Sequence, residues 1–191
     1  FTFNNQSSTG EVFDTSLIPG GYGLYYLPMQ LENGVVKPIY DALSMVYAID
    51  TQQATMVGLY TDLEKGQLLL VTFENQCFML TILDAASMQE IQKLELLPWD
   101  TASEFFNLFL YEDFLVALIA QRQFAVLHYN MEDGYELAIR SSLPEIEGQL
   151  PYLDNYETAM DFDGEKLAIA WYQAYNGCSF YIAVFDDSGL L

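Results

Sequence analysis

The sequence predicts an all-β protein built from a repeated group of strands. Residues 68–83, LLLVTFENQCFMLTIL, form an apolar run, a short polar break and a second apolar run, and this pattern returns at residues 114–129 and 167–185. Each run is too short, and too rich in β-branched and aromatic residues, to favour a helix. Three occurrences of one strand pattern indicate an internal repeat.

Landmark residues fix the alignment of the three copies. A phenylalanine enters each second run, and Phe78, Phe124 and Phe180 stand 46 and 56 residues apart. Six residues after each phenylalanine comes an Asp or Asn: Asp84, Asn130 and Asp186. We expect the phenylalanines to be equivalent core positions between neighbouring repeats. Strand repeats of roughly 40 to 50 residues are typical of the blades of a β-propeller.

Turn residues divide the chain into an arm and about four four-stranded units. Residues 1–20 are the arm, and its segment 11–17 is one candidate for a closing strand of the last unit; an open fragment and a partner chain that covers the edge are the alternatives. A single propeller-like domain, 21–191, then contains units at 21–53, 54–97, 101–143 and 157–191. The first unit is expected to lack its opening strand, and Asn33-Gly34 between apolar runs predicts a hairpin within it. Because the fourth ends before its last strand, its open edge is a possible site of oligomerisation.

The second strand of each unit is apolar along its whole length: LLLVTF, FLVALIA and LAIAWY. A strand that is buried on one face alternates apolar and polar residues, whereas a continuous apolar run indicates burial on both faces. Stacked propeller blades provide that double burial. A meandering β-sandwich or barrel is the alternative architecture.

The chain resembles the β-propeller repeat class in general, over about residues 21–191. The layout is similar to bacterial propellers of the YVTN and WD type, whose blades end in strands like VYAIDT at residues 46–51. No specific family is implied. Trp99-Asp100 is not the WD-repeat signature, because it falls in a loop and the Gly-His partner of that signature is missing.

Charge excludes two classes of partner. The net charge is −21, and the chain has only six Lys and Arg residues, which are scattered. Such a surface repels phosphate backbones and anionic membranes, so we expect no nucleic-acid partner. No stretch approaches the roughly 18 apolar residues of a membrane span. Without a metal or cofactor motif, neither is expected.

Several residues that often carry chemistry have a simpler structural interpretation here. His128 matches Ile82 and Val184 of the other copies, which indicates a packed strand residue rather than a catalyst. The run Asp161–Glu165 faintly resembles a calcium loop, but Asp163-Gly164 is also what a tight hairpin requires. Cys77 and Cys178 fall at the same place in copies two units apart, so both are expected to be free thiols.

Loop residues supply the candidate binding site. In a propeller the connections between units, and those between the second and third strands, emerge on one face. These loops carry aromatic, acidic and amide side chains: Trp99, Asp100, Tyr152, Asp154, Tyr172, Tyr175 and Asn176. Aromatic rings stack on apolar faces of a ligand while polar groups fix its orientation. The pattern favours a non-enzymatic binding or scaffold protein that recognises a protein, peptide or carbohydrate.

The alternative function is a carbohydrate-active hydrolase. Glycosidases use two carboxyl groups roughly 5 to 10 Å apart, and Asp100 with Asp154 is the candidate pair. No nucleophile motif supports other hydrolytic chemistry. The leading hypothesis, a binding or scaffold propeller, places the protein outside the cytoplasm of a bacterium, secreted or in the cell envelope.

Overall fold

The fold is all-β, as predicted. The computed structural model describes residues 23–49, 54–98, 106–119, 123–145, 158–173, 179–186 and 188–190. Their strands form three four-stranded antiparallel sheets and two two-stranded sheets. Within these ranges no helix has the length and apolar character needed to cross a membrane. The predicted arm, residues 1–20, lies outside the described residues.

The first unit consists of two small sheets rather than one blade. It contains β1 (Gly23–Tyr26), β2 (Met29–Glu32), β3 (Val35–Pro38) and β4 (Ser44–Ala48), with a 3-10 turn at Tyr40–Ala42. Strands β1 and β4 pair as sheet 1, while β2 and β3 form a separate hairpin. The expectation of a single first blade without its opening strand is therefore wrong, because the four strands of this unit form two separate sheets. Pro28 precedes β2 and Pro38 ends β3, and proline cannot donate to a sheet ladder.

The predicted turn of that hairpin is confirmed. Asn33 and Gly34 have φ values of 52° and 80°. Positive φ at both central residues is the geometry of a type I′ turn, which Asn-Gly adopts readily. The register pairs Leu31 with Val36 across this turn.

Sheets 2, 3 and 4 are meanders of four consecutive strands. Sheet 2 comprises β5 (Ala54–Asp62), β6 (Gln67–Glu74), β7 (Cys77–Asp84) and β8 (Glu90–Pro98). Sheet 3 comprises β9 (Phe106–Tyr111), β10 (Phe114–Ile119), β11 (Gln123–Asn130) and β12 (Gly134–Ser142). Sheet 4 comprises β13 (Thr158–Phe162), β14 (Leu167–Gln173), β15 (Ser179–Asp186) and β16 (Gly189–Leu190). The last unit was expected to lack its fourth strand, but β16 provides two residues of it.

The repeated Asp or Asn closes the turn after the third strand of each sheet. Asp84 Oδ1 accepts hydrogen bonds from the Ser87 amide and hydroxyl, each at 2.6 Å. Asn130 Oδ1 accepts the Glu132 amide at 2.9 Å, and Asp186 Oδ1 accepts the amide of Ser188 at 2.8 Å. Side chains of this kind initiate turns by replacing a backbone acceptor. The landmark is therefore structural, and it stands at the corresponding turn of all three sheets.

The sheets stack face against face in chain order. We call the face that points to the following sheet the forward face. Phe78, Leu80 and Ile82 on sheet 2 pack against Leu115 and Ala117 of sheet 3. In the same way, Phe124 and Val126 on the forward face of sheet 3 pack against Leu167, Ile169 and Trp171 of sheet 4. Sheet 1 covers the other side of sheet 2 in the same way.

Double burial of the second strand is confirmed for sheets 2 and 3. In β6, Leu69 faces sheet 3 whereas Leu70 faces sheet 1. In β10, Leu115 faces sheet 2 whereas Val116 faces sheet 4. The alternation that a one-sided strand would show is absent because both sets of side chains meet a neighbouring sheet.

The fourth unit departs from this prediction. Phe180 holds the same strand position as Phe78 and Phe124, but its side chain is 80% exposed, whereas Phe124 is 0% exposed. The expectation that all three are core residues is therefore wrong for Phe180. Its position in the repeat is right; it points forward, and no later sheet exists among the described residues to cover it.

Sheets 2, 3 and 4 are aligned in parallel orientation, so that the turns after their first strands lie on the same side of the stack. Lys65, in the first turn of sheet 2, contacts Asp113, in the first turn of sheet 3, at 3.5 Å. Phe114, just after that turn, meets Phe162 at the corresponding end of sheet 4, with ring centroids 4.6 Å apart. We call this side of the stack the turn edge. The opposite side, where each sheet starts its first strand, is the loop edge.

A cluster of largely buried charged and polar groups links sheets 2 and 3 at the turn edge. Lys65 Nζ lies 3.2 Å from Asp62 Oδ2, and both side chains are almost buried. The ammonium also donates to the Glu112 carbonyl at 2.5 Å. The Tyr135 hydroxyl, from sheet 3, lies 3.4 Å from the same Asp62 carboxylate. One lysine therefore neutralises a carboxylate that two sheets enclose.

Candidate functional site

Most of the predicted binding residues lie outside the described residues. This applies to Trp99, Asp100, Tyr152, Asp154, Tyr175 and Asn176. Tyr172 lies near the end of β14, where its backbone pairs with Phe180. The loop site therefore stays a prediction.

The strand ends that flank these loops share one side of the stack. Within sheet 2 the register joins Ala54 to Glu74, Glu74 to Cys77, and Cys77 to Pro98. The first and third strands therefore start, and the second and fourth end, at the loop edge. The other two meanders have the same order, and their turn edges are aligned with that of sheet 2. Six of the seven predicted residues belong to segments that connect strand ends at the loop edge, and Tyr172 lies near the end of β14 at the same edge.

A pocket lies between sheets 1 and 2 on this side. Its volume is about 180 Å³, and apolar side chains from both sheets line part of it, among them Ile49 and Leu70. Polar groups line the remainder: Tyr47, Thr72, Glu74, Thr81 and Lys93. At about 30 Å³ per water, the space holds roughly six waters or a ligand of that size.

A charged pair dominates one wall of the pocket. Lys93 Nζ contacts both carboxylate oxygens of Glu74, at 2.9 and 2.7 Å. The hydroxyl of Thr72 donates to Glu74 at 2.5 Å. A donor and an acceptor thus stand side by side over an apolar floor. That arrangement suits a ligand group that both donates and accepts, such as a hydroxyl or an amide.

Tyr47 forms the other polar wall. Its hydroxyl donates to Glu90 Oε2 at 2.8 Å, which joins sheet 1 to the outer strand of sheet 2. Burial raises the pKa of Tyr47 to about 12, and Glu90 adds to the shift through its hydrogen bond and its charge. A hydrogen bond with Thr81 acts in the opposite direction. The phenol therefore remains a neutral donor at ordinary pH.

This pKa predicts an alkaline loss of stability. Unfolded tyrosine ionises near pH 10, whereas folded Tyr47 keeps its proton to about pH 12, so the folded state loses relative stability as pH rises through this window. We expect Tyr47→Phe to reduce the fall in the urea midpoint between about pH 9 and pH 11. Equal slopes for the variant and the parent would contradict the assigned cause.

Sequence reasoning missed the pocket. Its polar residues are spread from residue 47 to residue 93 across β4, β6, β7 and β8, so no local motif marks them. A weak signal was present: Thr72 and Thr81 interrupt otherwise apolar runs, and both are buried. Leu70, Thr72 and Glu74 also alternate along one face of β6. A buried hydroxyl in a core strand requires a partner, which points to a polar site nearby.

The structural interpretation of the other candidates is largely supported. Asp163 Oδ1 accepts the amides of Glu165 and Lys166 at 2.9 and 2.7 Å, so the calcium-like run is a hairpin turn. His128 lies on β11 as predicted, but it is exposed rather than packed in the core, and it stacks on Phe114 with centroids 4.6 Å apart. Among the described residues no group of three or more His, Cys, Asp and Glu is placed to hold a metal ion.

Cys77 is a free thiol at the loop edge. Its Sγ donates to the Leu97 carbonyl at 3.0 Å, and burial, followed by the nearby Glu95 carboxylate, raises the pKa of the thiol to about 11. A neutral thiol is a poor nucleophile, so the geometry does not suit Cys77 for catalysis. Cys178 lies outside the described residues.

Thiol titration tests the cysteine assignment. The folded protein is expected to expose a Cys77 that reacts slowly at about pH 8, because little thiolate forms there. After unfolding without a reductant, both cysteines of the chain should react. A count of zero would mean that Cys77 and Cys178 are paired, and the repeat alignment would be wrong.

No model of a known protein family matches this chain, and no curated protein is similar to it in sequence.

Two buried polar atoms near the loop edge lack a partner among the described residues: Gln123 Oε1, at the start of β11, and Trp171 Nε1, near the end of β14. Gln67 Oε1, at the turn edge, is a third such atom. A buried indole N–H or amide oxygen without a partner costs about 1 to 3 kcal/mol. Gln123 and Trp171 lie close to the loop-edge ends of their strands, and both of these atoms are buried within the stack.

Proposed function

We propose that this chain is a non-enzymatic binding or scaffold domain of the β-propeller type. Three meanders of the same strand order support this architecture. They stack in chain order, and their first turns lie on the same side of the stack. A two-layer sandwich, the alternative, would bury one face of each sheet, whereas sheets 2 and 3 are covered on both. The proposed architecture is a propeller or a partial propeller, in which neighbouring sheets stack in chain order.

The observation that carries the proposal is the common loop edge. Three segments that contain aromatic, acidic and amide residues connect strand ends there, and neighbouring stacked sheets lie about 10 Å apart. Side chains from adjacent loops can therefore reach one ligand.

The expected ligand is a protein, peptide or carbohydrate. Tyr and Trp rings provide large stacking surfaces, while carboxylates and amides select orientation. The pocket at Tyr47, Glu74 and Lys93 extends this site at sheet 2, with room for one small polar group such as a hydroxymethyl or a side-chain amide. The net charge of −21 favours ligands that are neutral or basic over acidic ones.

A glycan microarray and a random-peptide phage library test the proposal directly. We expect a binder from one of them, with affinity lost in Trp99→Ala or Tyr152→Ala and reduced in Glu74→Gln. The matched controls are Leu63→Ala and Met131→Ala, which truncate exposed apolar residues at the turn edge. Binding that is equally sensitive to the controls, or no binder in either library, would contradict the proposal.

The second candidate function is a carbohydrate-active hydrolase that uses Asp100 and Asp154. Both belong to connections that start and end at the loop edge of adjacent sheets, which is the feature that favours the pair. Hydrolysis of chromogenic aryl glycosides that disappears in Asp100→Asn and Asp154→Asn would establish it. Retained hydrolysis in both variants would exclude this pair of carboxylates.

A further inference from the structure

The pocket between sheets 1 and 2 contains a group of polar side chains on a face that otherwise packs against another sheet. Thr72, Glu74, Thr81 and Lys93 all line it. Leu70 pairs with Thr81 and Thr81 with Lys93, so these side chains share the face of sheet 2 that points to sheet 1. Thr72 and Thr81 are each 1% exposed. Burial of a polar group costs free energy, so its presence in a stacked face requires a reason.

The repeat shows that stacking does not require these polar residues. Sheets 2 and 3 align on Phe78 and Phe124, and the strand register then gives the matching positions. The positions of Thr72, Thr81 and Lys93 carry apolar residues in sheet 3: Ala117, Leu127 and Leu137. The first two positions are apolar in sheet 4 as well: Trp171 and Ala183. Sheet 2 therefore departs from the repeat at its pocket, which indicates a role other than stacking.

The ion pair of the pocket leaves one donor and one acceptor for a ligand. An ammonium group has three N–H donors, and the contacts of Lys93 Nζ with Glu74 Oε1 and Oε2, at 2.9 and 2.7 Å, account for two of them. Oε1 also accepts from Thr72, whereas Oε2 has no second donor among the described residues. The side chains of Lys93 and Glu74 are 33% and 17% exposed, so a ligand can reach the pair from solvent.

The charges of the pair favour a neutral ligand. Lys93 and Glu74 compensate each other, and a charged ligand group would either break the pair or be buried without a counter-charge. A hydroxyl group can instead accept from the remaining N–H of Lys93 and donate to the remaining lone pair of Glu74. Ile49 and Leu70 provide apolar surface for the carbon atoms that carry such a hydroxyl.

A third polar group stands on the other wall. The Tyr47 hydroxyl donates to Glu90 at 2.8 Å, and Thr81 forms a hydrogen bond with the same hydroxyl. Because a hydroxyl oxygen has two lone pairs, one remains to accept a hydrogen bond from a ligand. Polar atoms on two walls suit a ligand that carries hydroxyls on several carbons. An amide is less suitable, because its polar atoms lie together at one end.

We propose that this pocket binds a neutral polyol, the hydroxyl-bearing end of a carbohydrate, between the Lys93–Glu74 pair and Tyr47. This inference rests on the proposed function, because it selects one of the ligand classes named there. The volume of about 180 Å³ exceeds the roughly 150 Å³ of an engineered protein cavity that holds benzene, so a polyol of three carbons fits.

NMR titration of the full chain with four small probes tests the ligand class. Glycerol is the polyol, and alanine, lactate and butyramide represent a zwitterion, an anion and an amide with the same number of non-hydrogen atoms. We expect glycerol to cause saturable shifts of the methyl signals of Ile49, Leu70 and Thr72. Each of the other probes should bind about tenfold more weakly or not at all, because it lacks a hydrogen bond or buries a charge.

Lys93→Met tests the role of the ion pair. Loss of the N–H donor should weaken glycerol binding about tenfold or more. Lys37→Met is the matched control, because Lys37 forms an exposed ion pair with Glu32 on the separate hairpin and receives the same change. Glu74→Gln is a second variant that should weaken binding, since a carboxylate accepts a stronger hydrogen bond than an amide. Circular dichroism should show that every variant keeps its β structure.

The possible outcomes separate this inference from the proposed function. Absence of saturable glycerol shifts, or tighter binding of alanine, lactate or butyramide, would overturn the polyol. Equal glycerol affinities for the parent and both pocket variants would also overturn it. A library binder that requires Trp99, together with absent glycerol shifts, would overturn only this inference. Glycerol binding in the pocket without any library binder would support the pocket chemistry and contradict the proposed function.

Discussion

Phe124→Ala is expected to lower the free energy of unfolding by about 3 to 5 kcal/mol. Phe124 is fully buried between sheets 3 and 4, and its ring meets the Phe185 ring edge-on, with centroids 4.5 Å apart. Truncation leaves a cavity between two sheets whose strands are held by hydrogen bonds, so collapse around it is limited. Urea unfolding measures the loss.

Phe180→Ala is the matched control for Phe124→Ala. The residue type, the strand position and the substitution are the same, but Phe180 is exposed in the single chain. Because Phe180 is 80% exposed, the change should stay within about 0.5 kcal/mol. A loss below about 1 kcal/mol at Phe124, or equal losses at both positions, would contradict the stacked arrangement.

Lys65→Met is expected to cost about 3 to 5 kcal/mol. The side chains of Lys65 and Asp62 are 12% and 7% exposed, so removal of the ammonium leaves a carboxylate charged in a poorly hydrated site. The Glu112 carbonyl loses its donor at the same time. Because the cluster joins sheet 2 to sheet 3, the loss should appear in the unfolding of both.

Lys37→Met is the control for Lys65→Met. Lys37 forms an ion pair with Glu32 at 2.7 Å, a shorter distance than the 3.2 Å between Lys65 and Asp62. However, the side chains of Lys37 and Glu32 are 54% and 51% exposed. An exposed pair contributes about 0 to 1 kcal/mol, so little loss is expected. Adding Asp62→Asn to Lys65→Met should recover part of the stability, since it removes the buried charge. No recovery would mean that lost packing, rather than charge, explains the effect.

Local signals predicted the strands of units two to four. Each strand is an apolar run bounded by turn residues, and the side chain of Asp84, Asn130 or Asp186 both ends a strand and initiates the turn after it. The Asn33-Gly34 hairpin was predictable for the same reason, because its backbone conformation is encoded in two residues. Stacking of sheets 2 and 3 followed from the continuous apolar runs.

Features that depend on distant residues could not be predicted. Phe78 and Phe180 have similar sequence surroundings, but Phe78 is 3% exposed and Phe180 is 80% exposed, because burial depends on distant strands that pack against the residue. The division of the first unit into sheet 1 and a hairpin is likewise a matter of pairing. The pocket residues Tyr47, Glu74 and Lys93 come together only when sheet 1 packs on sheet 2. Aligning the repeats compares equivalent positions with one another, so it does not reveal contacts between residues at non-equivalent positions.

Sequential stacking has a consequence for how the molecule opens. Each sheet is a local meander whose apolar contacts are with its immediate neighbours, so cooperativity is carried from one interface to the next. Backbone amides in β6, β7, β10 and β11 should exchange with deuterium most slowly, since their release requires both adjoining interfaces to separate. The β2–β3 hairpin, which is exposed along both strands, should exchange first. Opening therefore begins at the ends of the stack and reaches its centre last.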